Sequence, residues 1–198
     1  MAYTTIISNF APNITKGKEA MNMSTNHDNA VQTEADERYI RPVSIADAAA
    51  ITEIYNHYIK ETTITFEIEP ITMEEMANRI KEISAQFPYF VYEQDGKILG
   101  YCYAHLWKQR AAYSKTLETT IYLDKEATHQ GLGSLMVKHL IQLCKAQGYH
   151  ALIACITEGN EASVQMHEHL GFKRVSEFKE VGEKFGRWLG VVDLEYIL

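Results

Sequence analysis

The sequence predicts an α/β chain built on a single mixed sheet. Three observations carry this expectation. Phe90 to Glu93 and Lys97 to Ala104 flank Asp95-Gly96, a two-residue hairpin signal. A glycine-rich turn, Thr128 to Ser134, opens the apolar-periodic run Leu135 to Gln147. Strand-like and helix-like segments then alternate to the end of the chain, the pattern of one layered domain.

The elements follow in order. The first 38 residues are rich in Asn, Thr, Ser and Ala and hold no stable period. Such a segment buries too little apolar surface to offset its ordering entropy, so residues 1–38 are expected to be a tail or linker. The folded domain is expected over residues 39–198. It opens with a short strand at Tyr39 to Val43. Ser44 or Asp47 caps the next helix, whose apolar positions include Ile51, Ile54, Tyr55 and Ile59. Thr62 to Ile68 reads as irregular. Thr72 with Glu75 is a capping-box pattern, opening a helix to about Ser84. After the hairpin, a linker holding Lys108, Arg110 and Tyr113 leads to a strand at Leu117 to Leu123. Gly148 ends the glycine-turn helix, and Ala151 to Ile156 reads as a buried strand. Residues 160–170 suit a short helix stopped by Gly171. Val175 to Val181 and Trp188 to Ile197 close the chain as two strands.

Composition limits the function. The chain has 198 residues, 46% of them hydrophobic, enough for one domain with a real core. A net charge of −7 argues against a general nucleic-acid binder. No apolar stretch approaches the roughly 20 residues that span a bilayer, and no secretory leader is evident. Cys102, Cys144 and Cys155 form no C-x-x-C pair and read as small buried hydrophobes in a reduced, cytoplasmic protein.

The glycine turn carries the chemistry. Gly131 and Gly133 lack a Cβ and let the backbone approach an anion closely. The first helical N–H groups have no intrahelical partner and point outward at the positive end of the macrodipole. Such an end is a pyrophosphate site. The preceding strand ends at the same place and carries Glu118. A phosphate cradle beside a strand-borne acid suggests group transfer from a phosphate-containing carrier. His167 and His169 hint at a metal, but no third ligand is evident, and none is expected.

The order of elements and the glycine turn resemble the Gcn5-related N-acetyltransferases (GNAT). The finer motifs resemble that superfamily's phosphinothricin and methionine sulfoximine N-acetyltransferase branch. They are Tyr55-Asn56, Thr65-Phe66-Glu67, Gly100-Tyr101-x-Tyr103-Ala104, Arg110-x-x-Tyr113, Glu118-x-x-Ile121-Tyr122, Ser163-x-x-x-His167-Glu168, Gly171-Phe172 and Gly182-x-Lys184-Phe185-Gly186-Arg187-Trp188.

The resemblance implies a central, mostly antiparallel sheet flanked by helices. It implies acetyl-CoA as co-substrate, a small amine as acceptor, and a homodimer. Glu118 falls where the family places its general base; the plain alternative is a solvated strand carboxylate. The oxyanion donor falls on a backbone amide, Leu123 or its neighbour Tyr122, and Ile121 to Leu123 would pair with the pantetheine. His129, Gln130, Gly131, Leu132, Gly133 and Ser134 form the pyrophosphate turn. Asn160 and Ser163 resemble cofactor contacts, though helix capping explains them equally. His167 stands where many relatives carry a tyrosine that protonates the leaving thiolate; simple packing is its alternative. Lys108, Arg110 and Tyr113 sit just before the Glu118 strand and suit a substrate carboxylate or phosphinate, with Phe66, Tyr103 and Trp188 as apolar walls; core packing for the aromatics and a solvated charge for Lys108 are the plain alternatives.

Two positions depart from the pattern. Thr128 stands where Gln or Arg is common, and Gly190 where an acid is common. Protein or polyamine acetylation, and a non-catalytic acyl-CoA-binding module, are the competing readings.

Overall fold

The computed structural model describes residues 39–198; the expected tail lies outside the described residues. Seven strands are formed, β1 (Ile40–Pro42), β2 (Tyr89–Gln94), β3 (Lys97–Leu106), β4 (Thr116–Leu123), β5 (Ala151–Thr157), β6 (Lys173–Lys184) and β7 (Arg187–Ile197). Four α-helices accompany them, α1 (Ala48–Glu61), α2 (Met73–Ser84), α3 (Leu132–Ala146) and α4 (Glu161–His169).

The strands make one sheet in the order β1-β2-β3-β4-β5-β7-β6. Every neighbouring pair is antiparallel except β4 and β5. That parallel pair needs a long crossover, which α3 provides. The helices α1 and α2 cover one face, burying Ile51, Ile59 and Ile80 against Val91 and Tyr101. On the other face α3 and α4 bury Met136, Leu140 and Val164 against Leu152 and Leu194. Each fully buried aliphatic side chain contributes about 1.5–3 kcal/mol of apolar transfer.

Local sequence accounts for most boundaries. Ser44 and Asp47 form a reciprocal capping box around a short 3-10 turn that runs into α1. Thr72 caps α2 by accepting from Glu75 N at 3.1 Å. Asp95 and Gly96 both take positive φ, 53° and 76°, as a tight hairpin turn requires. Asn56 binds both backbone groups of Ile71, at 2.9 and 3.0 Å, and so fixes the far end of the irregular segment after α1.

Three elements differ from expectation. The helix α3 starts at Leu132 rather than Leu135, because Gly131 in a left-handed conformation (φ 80°) serves as its N-cap. The terminal strands are longer than expected and meet at Phe185-Gly186, both with positive φ. A phenylalanine is a poor turn signal, so the sequence hides this turn.

Candidate active site

The strands β4 and β5 pair only over Thr116–Glu118 and Ala151–Ile153. Beyond Glu118 they separate. The hydrogen bonds at the strand ends fix which backbone groups face the gap. Asp124 N donates to Leu99 O at 2.8 Å and Trp107 N to Thr116 O at 3.3 Å. With the β3–β4 register, this turns the amides of Glu118, Thr120 and Tyr122 toward β3. The amides of Thr119, Ile121 and Leu123 therefore face the gap. Leu198 N to His150 O and Glu158 N to Gly190 O set the phase of β5, turning the backbone of Cys155 and Thr157 the same way. The gap thus has two walls of backbone groups without sheet partners, spaced as an extended chain of amides needs.

This gap is a cleft of about 120 Å³, lined from Glu118 to Tyr122 and from Ala154 to Thr157, with Ile64, Asn160, Ser163 and His167 closing it. A larger open groove of about 630 Å³ lies between α1 and the β2–β3 turn. Arg41 pairs there with Asp47 and Glu93, and Lys97 with Asp124. The smaller cleft holds the reactive side chains.

Glu118 sits where the strands part. Its side chain is partly buried and lies 4.0 Å from His105 Nε2. Burial pushes its pKa up; His105 opposes this and the Asp193 carboxylate adds to it. A carboxylate raised by burial is a better proton acceptor than a solvated one.

His167 differs from its expected role. Its ring is 2% exposed, and Nδ1 lies 2.9 Å from Ser163 O. A carbonyl only accepts, so Nδ1 carries the proton. Nε2 then holds a lone pair and is buried without a protein partner. The Phe172 ring stands edge-on at 5.0 Å. Burial lowers the pKa, which keeps the ring neutral. Nε2 is an acceptor in this state and has no proton to give a thiolate.

The glycine turn behaves as expected in part. Gly131 gives α3 no side-chain cap, so the first N–H groups of the helix remain available. Leu132 is buried in the core and can offer only its amide. A Cβ at Gly133 would stand 2.8 Å from Met166 Sδ, so a glycine lets α3 meet α4 closely. His129 adopts φ 61°, while Gln130 Nε2 is tied to Glu126 O at 2.9 Å. The Gln130 side chain therefore braces the turn instead of reaching outward. Thr128 does the same toward Lys125 O. Asn160 caps α4 by accepting from Ser163 N, and both residues also line the cleft. Tyr122 packs edge-on against Tyr55 and Tyr58. Its amide faces β3, which leaves Ile121 and Leu123 as the backbone donors toward the cleft. Leu123 O is already bound by Tyr58 OH at 2.8 Å.

The expected substrate set is not gathered in the cleft. Lys108, Arg110 and Tyr113 precede Thr116, whereas the cleft opens only at Glu118. The Lys108 ammonium rests over the Trp107 ring at 3.8 Å. Trp188 lies 62% exposed on the β6–β7 hairpin, and Phe66 packs over Gly182. Cys155 is also corrected: Cys102 and Cys144 are buried, but Cys155 is exposed on the cleft side. Desolvation, with Asp193 and Glu118 nearby, pushes its thiol up to about 12, so it is not a ready nucleophile.

Several cleft residues carry no sequence signal. Ile64 lies in an irregular run. Thr157 and Cys155 face the site only because of strand phase, and Asp193, the β7 partner of Cys155, acts on Glu118 through its charge. Among the described residues no group of three or more His, Cys, Asp or Glu side chains is placed to hold a metal, and no helix is long and apolar enough to cross a membrane.

With this geometry in hand, comparison with known proteins decides the family. Residues 40–191 match the model of the acetyltransferase (GNAT) domain. The chain belongs to this family. The enzyme is 38% identical over 149 residues to a phosphinothricin N-acetyltransferase of Streptomyces viridochromogenes, covering 75% of this chain and 81% of that protein. It is 32% identical to an L-methionine sulfoximine/L-methionine sulfone acetyltransferase of Pseudomonas paraeruginosa, covering 79% and 92%. Its fold superposes on a phosphinothricin acetyltransferase of Sinorhizobium meliloti in complex with acetyl-CoA, with TM-score 0.78 and 34% identity over 80% of this chain and 87% of that one. The protein is thus an acetyl-CoA-dependent N-acetyltransferase, and the expected single sheet flanked by helices is the fold observed.

Proposed function

We propose that this acetyltransferase moves the acetyl group of acetyl-CoA to the primary amine of a small amino-acid-like substrate of the phosphinothricin, methionine sulfoximine or methionine sulfone type. The observation that carries the reading is Glu118, a carboxylate raised by burial at the point where β4 and β5 part. The substrate names of the relatives support the amine class.

The mechanism is direct attack. Glu118 removes a proton from the substrate ammonium, directly or through one water, and frees the nitrogen lone pair. That nitrogen attacks the thioester carbonyl. The Leu123 amide, turned into the cleft by the strand phase, stabilises the oxyanion that forms. The C–S bond then breaks, and the second proton on the attacking nitrogen passes through water to the departing thiolate, leaving the neutral amide and CoA thiol. A thiol with a pKa near ~8.5 leaves as a thiolate without a strong acid. His167 Nε2 acts as an acceptor that orients a donor on the cofactor arm. The amide of Ile121 pairs with that arm, and the N–H groups at Gly131 to Ser134 take its pyrophosphate.

The enzyme acts as a homodimer in the cytoplasm. Support comes from Phe178, Val181, Phe185 and Trp188, four large apolar side chains left half or more exposed on one hairpin. Sedimentation should give twice the chain mass, and Trp188→Asp should shift it to the monomer.

Release of CoA thiol across an amine panel tests the reading. Turnover of phosphinothricin, methionine sulfoximine and methionine sulfone, with little from polyamines or a lysine peptide, is expected. Preference for polyamines or the peptide would replace the substrate class. Acetyl-CoA binding without turnover of any amine would leave a binding module.

A further inference from the structure

The β6–β7 hairpin carries a lysine in an unfavourable place. Lys184 is 2% exposed, and an ammonium taken out of water needs acceptors. The carboxylate whose charge it feels is Glu67. That carboxylate is already held by Arg79, at 2.6 and 3.3 Å. Lys184 Nζ instead donates to the main-chain carbonyl of Thr65 at 2.8 Å.

Thr65 belongs to the irregular segment between α1 and α2. This segment reaches the cleft through Ile64. Its anchors come from several sides. Ile64 O accepts from Thr157 Oγ1 on β5 at 3.1 Å. The Thr65 hydroxyl is bonded to Tyr55 OH on α1 at 2.9 Å. The Phe66 ring occupies the space that a side chain at Gly182 would fill. Two successive carbonyls are therefore gripped from two different strands. A segment without a backbone ladder of its own opens easily unless such outside bonds hold it.

We propose that Lys184 is a positioning residue for amine selection, clamping residues 62–68 as a fixed wall of the cleft that Glu118 faces. The wall bounds the amine side, whereas acetyl-CoA depends on the β4 and β5 amides and on the glycine turn. Lys184 thus sets which amines fit without setting cofactor affinity. This inference rests on the amine-acetylation reading above.

Lys184→Met keeps an unbranched side chain one atom shorter and removes the donor. Hydrogen exchange on the full chain tests the clamp without any turnover. Amides of residues 62–68 should exchange roughly ten- to a hundredfold faster in the variant, the loss expected for one charge-assisted bond, while the β2–β3 hairpin is unchanged. Unaltered protection of 62–68 would overturn the proposal. In steady state, KM for the amine should rise by roughly tenfold or more with KM for acetyl-CoA unchanged. The preference for methionine sulfoximine over a simple alkylamine should also narrow. Equal losses toward both co-substrates would mean a general structural role and overturn the proposal. If Lys184→Met does not fold, Thr157→Val removes the neighbouring anchor and must show the same local exchange and the same rise in amine KM; normal values would refute the clamp. Failure of the unsubstituted enzyme to acetylate any amine would reject the amine reading instead, and the exchange measurement would still decide the clamp.

Discussion

Replacing Glu118 by Gln isolates the base. The substitution keeps the shape of the side chain and removes its charge and basicity. General-base catalysis contributes about 10²–10⁴-fold. The lower end applies here, because the Glu118 side chain is 30% exposed and water can accept the proton in its place. We therefore expect kcat at saturating substrate to fall by about 10²-fold, with KM for acetyl-CoA unchanged. Raising the pH should recover part of the loss, since more of the amine is then free base. The unsubstituted enzyme should lose activity as pH falls through a value above the ordinary 4.5 of Glu, because burial raises the folded-state pKa. The limb at that midpoint should be missing in the variant, which keeps only the pH dependence of the substrate ammonium. The assay is thiol release from acetyl-CoA across the pH range. Unchanged turnover in Glu118→Gln, or a limb at the Glu118 midpoint that survives it, would refute the assignment.

The surroundings of Glu118 give two shifts of opposite sign. Asp193→Asn removes a neighbour that raises the Glu118 pKa, so the acid limb should move to lower pH; His105→Ala removes one that lowers it, so the limb should move up. His167 should titrate by NMR with a midpoint below the usual 6.5 and show the Nδ1–H tautomer. Its folded pKa is depressed, so the stability from burying the neutral ring is present above pH 6.5 and lost as pH falls through the folded value. A midpoint above 6.5 would restore it as a proton donor. Asp47→Asn should lower stability by about 1–3 kcal/mol, read as a lower Tm, because it breaks the paired bonds to Arg41 at 2.7 and 2.8 Å and the bond from Ser44 N. The Asp47 pKa is lowered mainly by that Arg41 bond, so its contribution is present above about pH 4 and fades as pH falls through the folded value.

The sequence exposes what local chemistry controls. The Asp95-Gly96 turn, the Thr72 cap, the Gly131 break and the alternation around Glu118 each rest on a few adjacent residues. The structure places them as read. What the sequence hides depends on distant strand phase. β4 leaves β5 after Glu118 while staying paired with β3, and the β3–β4 register sets the phase of its amides. Only that phase turns Leu123 N–H into the cleft and Tyr122 N–H away from it. The state of His167 depends on one bond to Ser163 O and on burial by Phe172, neither visible as a motif. Lys108 and Arg110 read plausibly as substrate ligands because charge is legible in a sequence. Their place before the opening of the cleft is not. Lys184 is the converse case. Its charge suggests an exposed residue, and the structure buries it against a carbonyl 119 positions away.

The central claim is transfer of acetyl to the primary amine of an amino-acid-like substrate. Incubation of the enzyme with isotope-labelled acetyl-CoA and methionine sulfoximine, followed by NMR of the product, tests it directly. The label should appear on the α-amine, at a rate that falls with Glu118→Gln. Label on the sulfoximine nitrogen, on the protein alone, or on no product at all would contradict the account.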